Sequence, residues 1–268
     1  MERQLPTITI QGTSFTVDVL RDALIESGNP GNVIPFKEMA YEGDRYLLSY
    51  DLLEKNLPGI RSSGFIDVRV LPLSVLDPEG MALKYGKRLD EIIGKTDFEI
   101  RVDQDLYQRR LSGHLPVIEI MGHPFYVDVR MDSLRPKDDF STQGIRFSEI
   151  DNYVHPDDQR YWIPYHPVSH SIREIDTETI TEIPKDIFLV EIPTLEKLDP
   201  VGYARFHGLD IEQTVMANPL ESNMIAKMVD WKESWLPEAI KENLLKQEKN
   251  KKKNTSKKTI RRNRGGIF

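Results

Sequence analysis

The sequence predicts an α+β protein: an internal duplication of a small unit (β-hairpin, further strands, short helix) with a C-terminal helical extension and a disordered basic tail. Three observations lead there. "LPTITIQGTSFTVDV" (Leu5 to Val19) returns as "LPVIEIMGHPFYVDV" (Leu115 to Val129), identical at nine of fifteen positions without a gap. Three more blocks recur in the same order, at offsets that grow from 110 to 111, 115 and 122. The chain then ends, from Lys246, in ten Lys or Arg and one acid, Glu248.

Each element has a local warrant. Ile8 and Ile10 alternate with Thr7 and Thr9, and Phe15, Val17 and Val19 alternate with Thr16 and Asp18. That period of two around a Gly-containing turn predicts a half-buried β-hairpin. Ile118, Ile120, Phe125, Val127 and Val129 repeat it around Gly122. "IPFKEM" (Ile34 to Met39) matches "IRFSEI" (Ile145 to Ile150). "RYLLSY" (Arg45 to Tyr50) matches "RYWIPY" (Arg160 to Tyr165), and both are rich in the aromatic and branched residues of strands. The stretches 68–86 and 190–208 share eight of nineteen positions, including "LDP". Asp77 and Asp199 there suit helix N-caps, Pro78 and Pro200 the first helical position, and Gly86 and Gly208 the residue past the end. About two turns fit between those signals.

The boundaries that follow are a first repeat over 5–105, a second over 115–221, a helical extension over 222–245 and the tail over 246–268. Insertions between shared blocks, and not inside them, are what loops tolerate. In the extension, Met224, Ile225, Met228 and Trp231 keep helical spacing, as do Leu236, Ile240 and Leu244, with a break expected near Trp235 ahead of Pro237. The tail has almost nothing apolar to bury, which predicts disorder when unbound.

Bulk properties bound the function. The net charge of −7 divides into +9 on the tail and −16 on everything before it. With no cysteine, thiolate metal sites, disulfides and cysteine nucleophiles are excluded. No apolar run approaches the roughly 18 residues that span a bilayer. The opening "MERQLPTITI" lacks the layout of a signal peptide, so a cytoplasmic protein is expected.

Candidate sites are few. "GKT" at Gly94 to Thr96 has Leu89 where a phosphate loop needs its first glycine, so it is read as a turn. Asp18 and Asp128 recur at matching hairpin positions; they are read as loop caps rather than as a shared acid–base dyad. All six histidines fall at or beyond position 114, and "HPDDQRYWIPYHPVSH" gathers three of them with two aspartates. Imidazole and carboxylate together can hold zinc or manganese, so His155, Asp157, His166 and His170 form a candidate metal set. In the tail, Lys251, Lys252, Lys253, Lys257, Lys258, Arg261, Arg262 and Arg264 form a polycation suited to phosphate backbones.

The expected function is therefore non-enzymatic: an interaction or accessory protein of two repeats whose basic tail engages nucleic acid or an acidic protein. That reading calls for no cofactor and no membrane, and it leaves the oligomeric state open. The competing expectation is a metal-dependent hydrolase built on the His155 to His170 segment.

Overall fold

A computed structural model describes residues 3–60, 62, 64–139, 142–157 and 160–262. In chain order it opens with seven strands: β1 (Thr7–Ile10), β2 (Thr13–Asp18), β3 (Ala23–Glu26), β4 (Val33–Pro35), β5 (Ala40–Tyr41), β6 (Tyr46–Asp51) and β7 (Phe65–Val70). Five short helices follow: α1 (Leu73–Leu76), α2 (Pro78–Tyr85), α3 (Leu89–Ile92), α4 (Asp97–Arg101) and α5 (Gln104–Leu111). The pattern then returns with β8 (Val117–Ile120), β9 (His123–Asp128), β10 (Ser133–Pro136), β11 (Ile145–Arg146), α6 (Phe147–Ile150), β12 (Arg160–His166), β13 (Ser171–Ile172) and β14 (Phe188–Pro193). Last come α7 (Leu195–Leu198), α8 (Pro200–His207), α9 (Ile211–Ala217), β15 (Asn223–Ile225), β16 (Lys227–Val229) and α10 (Leu236–Arg262).

The chain divides into two units, residues 1–114 with 199–221 and residues 115–198 with 222–268. The first holds an antiparallel sheet in the order β1-β2-β3-β4 and a second sheet β5-β6-β7. The other holds β11-β10-β9-β8-β15 and β13-β12-β14-β16. Corresponding registers agree: Ile8 faces Phe15 and Val17 faces Leu24, as Ile118 faces Phe125 and Val127 faces Leu134. Backbone conformation also matches. Gln11-Gly12 and Met121-Gly122 make the two-residue hairpin turns, with φ of 48° and 79° in one and 52° and 80° in the other. Two left-handed residues in succession are what a type I′ turn requires, and glycine takes the second at no steric cost. The remaining left-handed non-glycine residues pair likewise, Asp22 with Asp132 and Lys55 with His170.

Alternation along these strands builds both cores. Phe15, Val17, Leu24, Tyr46, Leu48 and Tyr50 are buried in the first unit, and Phe125, Val127, Leu134, Ile163 and Tyr165 in the second. An edge-to-face ring pair joins the two sheets of each unit, Phe15 with Tyr50 at 6.2 Å and Phe125 with Tyr165 at 6.4 Å.

The "LDP" helices form as their caps dictate. Asp77 accepts from the Gly80 amide and Asp199 from the Gly202 amide, both at 2.9 Å, and Gly86 and Gly208 close the helices in left-handed conformation. Each capping carboxylate is also clamped by an arginine from well outside the helix. Arg110 donates Nε and Nη2 to the two oxygens of Asp199 at 2.8 and 2.7 Å, and Arg3 holds Asp77 in the same two-pronged way. Asp199 is fully buried and the Arg110 side chain 10% exposed. A Cβ on Gly80 or Gly202 would collide with its aspartate, so close approach keeps these positions glycine.

Two features depart from the sequence reading. Residues 199–221 lie in the second repeat by sequence but belong to the first unit, where Val201, Val215 and Met216 enter the core and α9 packs on α4 and β5. The stretch from Met224 to Val229, read as helical, forms two short strands. β15 pairs in parallel with β8, whose outer edge needs hydrogen-bond partners, and β16 pairs with β14. A helical stripe would bury Met224, Ile225 and Met228 together, but Met224 is 6% exposed while Ile225 and Met228 are 71% and 63% exposed. The backbone of α10 is helical through Arg262 and takes in part of the basic segment; lysine, arginine and glutamine favour helix and no proline or glycine interrupts 238–262. The break before it falls as expected, since a 3₁₀ turn ends at Glu233 and α10 starts at Leu236.

Two outcomes follow for stability. Arg110→Ala leaves a buried carboxylate unpaired and should cost about 3–5 kcal/mol in urea denaturation followed by circular dichroism. Arg110→Lys should fail to restore the loss, because an ammonium cannot match both oxygens. Phe15→Ala and Phe125→Ala should each cost about 3–5 kcal/mol in the same assay. Losses under about 1 kcal/mol would show that these residues do not hold their cores.

Candidate functional site

A charged groove lies at the start of β12 in the second unit. On this strand Ile163 and Tyr165 point into the core, which turns Arg160 and Trp162 outward. Trp162 lies opposite Glu191 on β14, and Glu191 opposite Lys227 on β16, so three side chains line up across three strands. Glu191 accepts from Trp162 Nε1 at 3.0 Å and Arg160 Nη1 at 3.1 Å, with Lys227 Nζ at 3.6 Å. Burial opposes its ionisation, but the Trp162 hydrogen bond and the charges of Arg160 and Lys227 outweigh burial and hold its carboxyl below the usual range. Arg160 also pairs with Asp157 at 2.7 Å, Asp157 with His155 at 3.0 Å, and the His155 ring lies 4.3 Å from that of Trp162. Pro193, Lys197 and Ile225 complete the lining of a cavity of about 380 Å³.

The other two members of the expected metal set sit at the far end of β12, a strand of about 20 Å at its usual rise per residue: His166 is its last residue and His170 follows in the turn. His166 Nδ1 bonds Ser169 Oγ at 2.7 Å. His170 bonds the Tyr165 hydroxyl at 2.9 Å and stacks on His123 with ring centroids 3.6 Å apart. His155, Asp157, His166 and His170 are thus divided between two places. Among the described residues no three His, Asp or Glu side chains converge on a common point for a metal ion. The sequence put them together because an extended strand separates residues that are near in number. In the first unit Lys55 occupies the place of His170, and the buried Tyr50 hydroxyl finds no hydrogen-bond partner among the described residues.

Other candidates resolve as structural devices. Asp18 accepts from the Arg21 amide, and Asp128 from the Met131 amide and Arg135 Nε, so each carboxylate ties down its own turn. Thr96 of "GKT" caps α4 in a capping box with Glu99. A buried network that the sequence does not signal centres on Asp97, which accepts from the Leu73 and Ser74 amides at 2.8 Å each and from the Tyr46 hydroxyl at 2.7 Å. Burial and the Asp97 charge raise the Tyr46 phenol well above its ordinary range, so it stays a hydrogen-bond donor.

The basic segment is reached through α10. Leu236 is fully buried against Leu189 and Trp231, with Ile240 packed beside them. Asn243, 4% exposed, donates to the carbonyls of Thr177 and Ile180 at 2.9 Å each. From there Lys246, Gln247, Glu248 and Lys249 are exposed. The helix backbone continues through the positions of Lys251, Lys252, Lys253, Lys257, Lys258, Arg261 and Arg262, while Arg264 lies outside the described residues. No described helix is long and apolar enough to cross a membrane.

The stacked histidines make stability depend on pH. Burial, the neighbouring His123 and then His166 hold the His170 imidazole below its usual range, against an opposing pull from Asp139. The folded state therefore holds the His170 proton less tightly than the unfolded chain, which takes it up near the typical free-histidine value of about 6.5. The His170 contribution is full above that pH and is lost as pH falls through and below it. The urea midpoint should drop between about pH 7 and pH 5.5, and His170→Asn, which tolerates the left-handed backbone, should flatten the drop. Parallel pH profiles for the two proteins would contradict this assignment.

No protein-family model, no curated protein and no solved structure matches this chain, which leaves its functional reading to the chemistry of its own surfaces.

Proposed function

We propose that this chain is a non-enzymatic interaction protein that engages nucleic acid or a similar polyanion through the cationic end of α10. The observation that carries the reading is the continuity of that helix. Its first turns are fixed to the second unit by Leu236, Ile240 and Asn243, and the same helix runs on into the Lys- and Arg-rich stretch. A polycation gains affinity for phosphate by releasing condensed counterions. An anchored helix adds a fixed direction to that attraction and lowers the conformational cost of binding. The rest of the chain, at −16, repels phosphates, so contact concentrates on the helix. The matching hairpin registers and left-handed positions of the two units support descent from one duplicated unit, with β15, β16 and the cationic arm added to the second.

Removing residues 246–268 should leave the urea midpoint unchanged and abolish association with oligonucleotides. Binding by the intact chain should weaken with salt, each neutralised phosphate adding a slope of about −0.9 in log K against log salt on duplex DNA. Fluorescence anisotropy at two ionic strengths measures both. Equal binding by the intact and truncated proteins, or binding indifferent to salt, would contradict the proposal.

A further inference from the structure

The cationic positions of α10 follow a pattern along the helix. At about 100° per residue, Lys246, Lys249, Lys253 and Lys257 fall in one row along the helix, and Lys251, Lys258 and Arg262 in a second row about 150° away. Between the rows lie the positions of Gln247, Asn250 and Asn254, followed by Arg261. The opposite side takes Glu248, the only acid of the segment, together with Thr255, Thr259 and a single lysine, Lys252. A solubilising charge run has no reason to set its amides between two cation rows and its one acid behind them.

We infer that this end of α10 binds the major groove of duplex DNA, an inference that rests on the polyanion reading above. A helix with side chains is about 10–12 Å across and the B-form major groove about 12 Å wide. Lys246 to Arg262 spans about 25 Å at the usual rise. With the amide positions facing the groove floor, one cation row meets the phosphates of one strand and the second row those of the other. Asparagine and glutamine are the side chains that pair two-pronged with adenine N6 and N7. Like charges three and four residues apart weaken the free helix, and phosphates relieve that repulsion, so binding and helix formation reinforce each other. A-form RNA, whose major groove is deep and narrow, does not admit the helix.

The test compares the full-length chain, its truncation before Lys246 and Asn254→Pro, which keeps every charge and interrupts the helix. Each is titrated at one salt concentration against a DNA duplex of about two turns, the same sequence as RNA duplex, and the single strand. The intact chain should prefer the DNA duplex by on the order of ten-fold, and Asn254→Pro should lose that preference while still binding all three weakly. Equal affinity of the intact chain for the three polymers, or a preference surviving in Asn254→Pro, overturns the groove assignment and leaves the polyanion reading standing. Failure of the intact chain to bind any of them overturns both.

Discussion

A buried carboxylate must be answered by donors where it sits, and in the first unit this demand fixes the helices. Asp77, Asp97 and Asp199 are 2%, 0% and 0% exposed, and each accepts backbone amides at the N-terminus of a helix. The helix dipole favours a negative charge there, while burial disfavours it. Arginine supplies two further donors to each of Asp77 and Asp199, and the Tyr46 hydroxyl joins two amides on Asp97. The Arg110–Asp199 clamp has the largest consequence. It sets α8 in the first unit, and α8 with α9 brings Val201, Val215 and Met216 into that core. The segment that completes the first unit therefore arrives after most of the second has been made.

Much of this was legible in the residues. Alternation at Ile8 to Val19, the Gln11-Gly12 turn and the caps at Asp77 and Gly86 depend on contacts only a few residues away, and each appears where expected. The clamp depends on Arg110 meeting a residue 89 positions later, and no local pattern marks that arginine. Gly80 and Gly202 lie in the shared stretches 68–86 and 190–208, where no local pattern shows the carboxylate that crowds them. Met224 to Val229 failed because a short apolar run fits either period, and the free edge of β8 decided the matter. The histidine cluster failed because nearness in sequence along a strand means distance in space. The groove of Trp162, Glu191 and Lys227 needed three strands to be in register before it existed at all.

The two units agree in hairpin register and differ around it. Tyr50 and Tyr165 make the same ring contact with Phe15 and Phe125, but only Tyr165 has a histidine on its hydroxyl. Arg45 pairs with its neighbour Asp44, whereas Arg160 joins Asp157 and Glu191 in a lattice that extends to Trp162 and Lys227. The segment between β13 and β14 supplies the two carbonyls that seat Asn243. The elaborations of the second unit thus include the seat of α10, the helix proposed to carry binding.

Native-state hydrogen exchange on the full-length protein tests most directly whether the clamp organises the first unit. The amides of α8 and α9 should open together with those of β2 and β3, and Arg110→Ala should strip protection from that whole set while β9 and β12 keep theirs. Exchange of α8 and α9 in step with β9 and β12, unaffected by Arg110→Ala, would contradict the account.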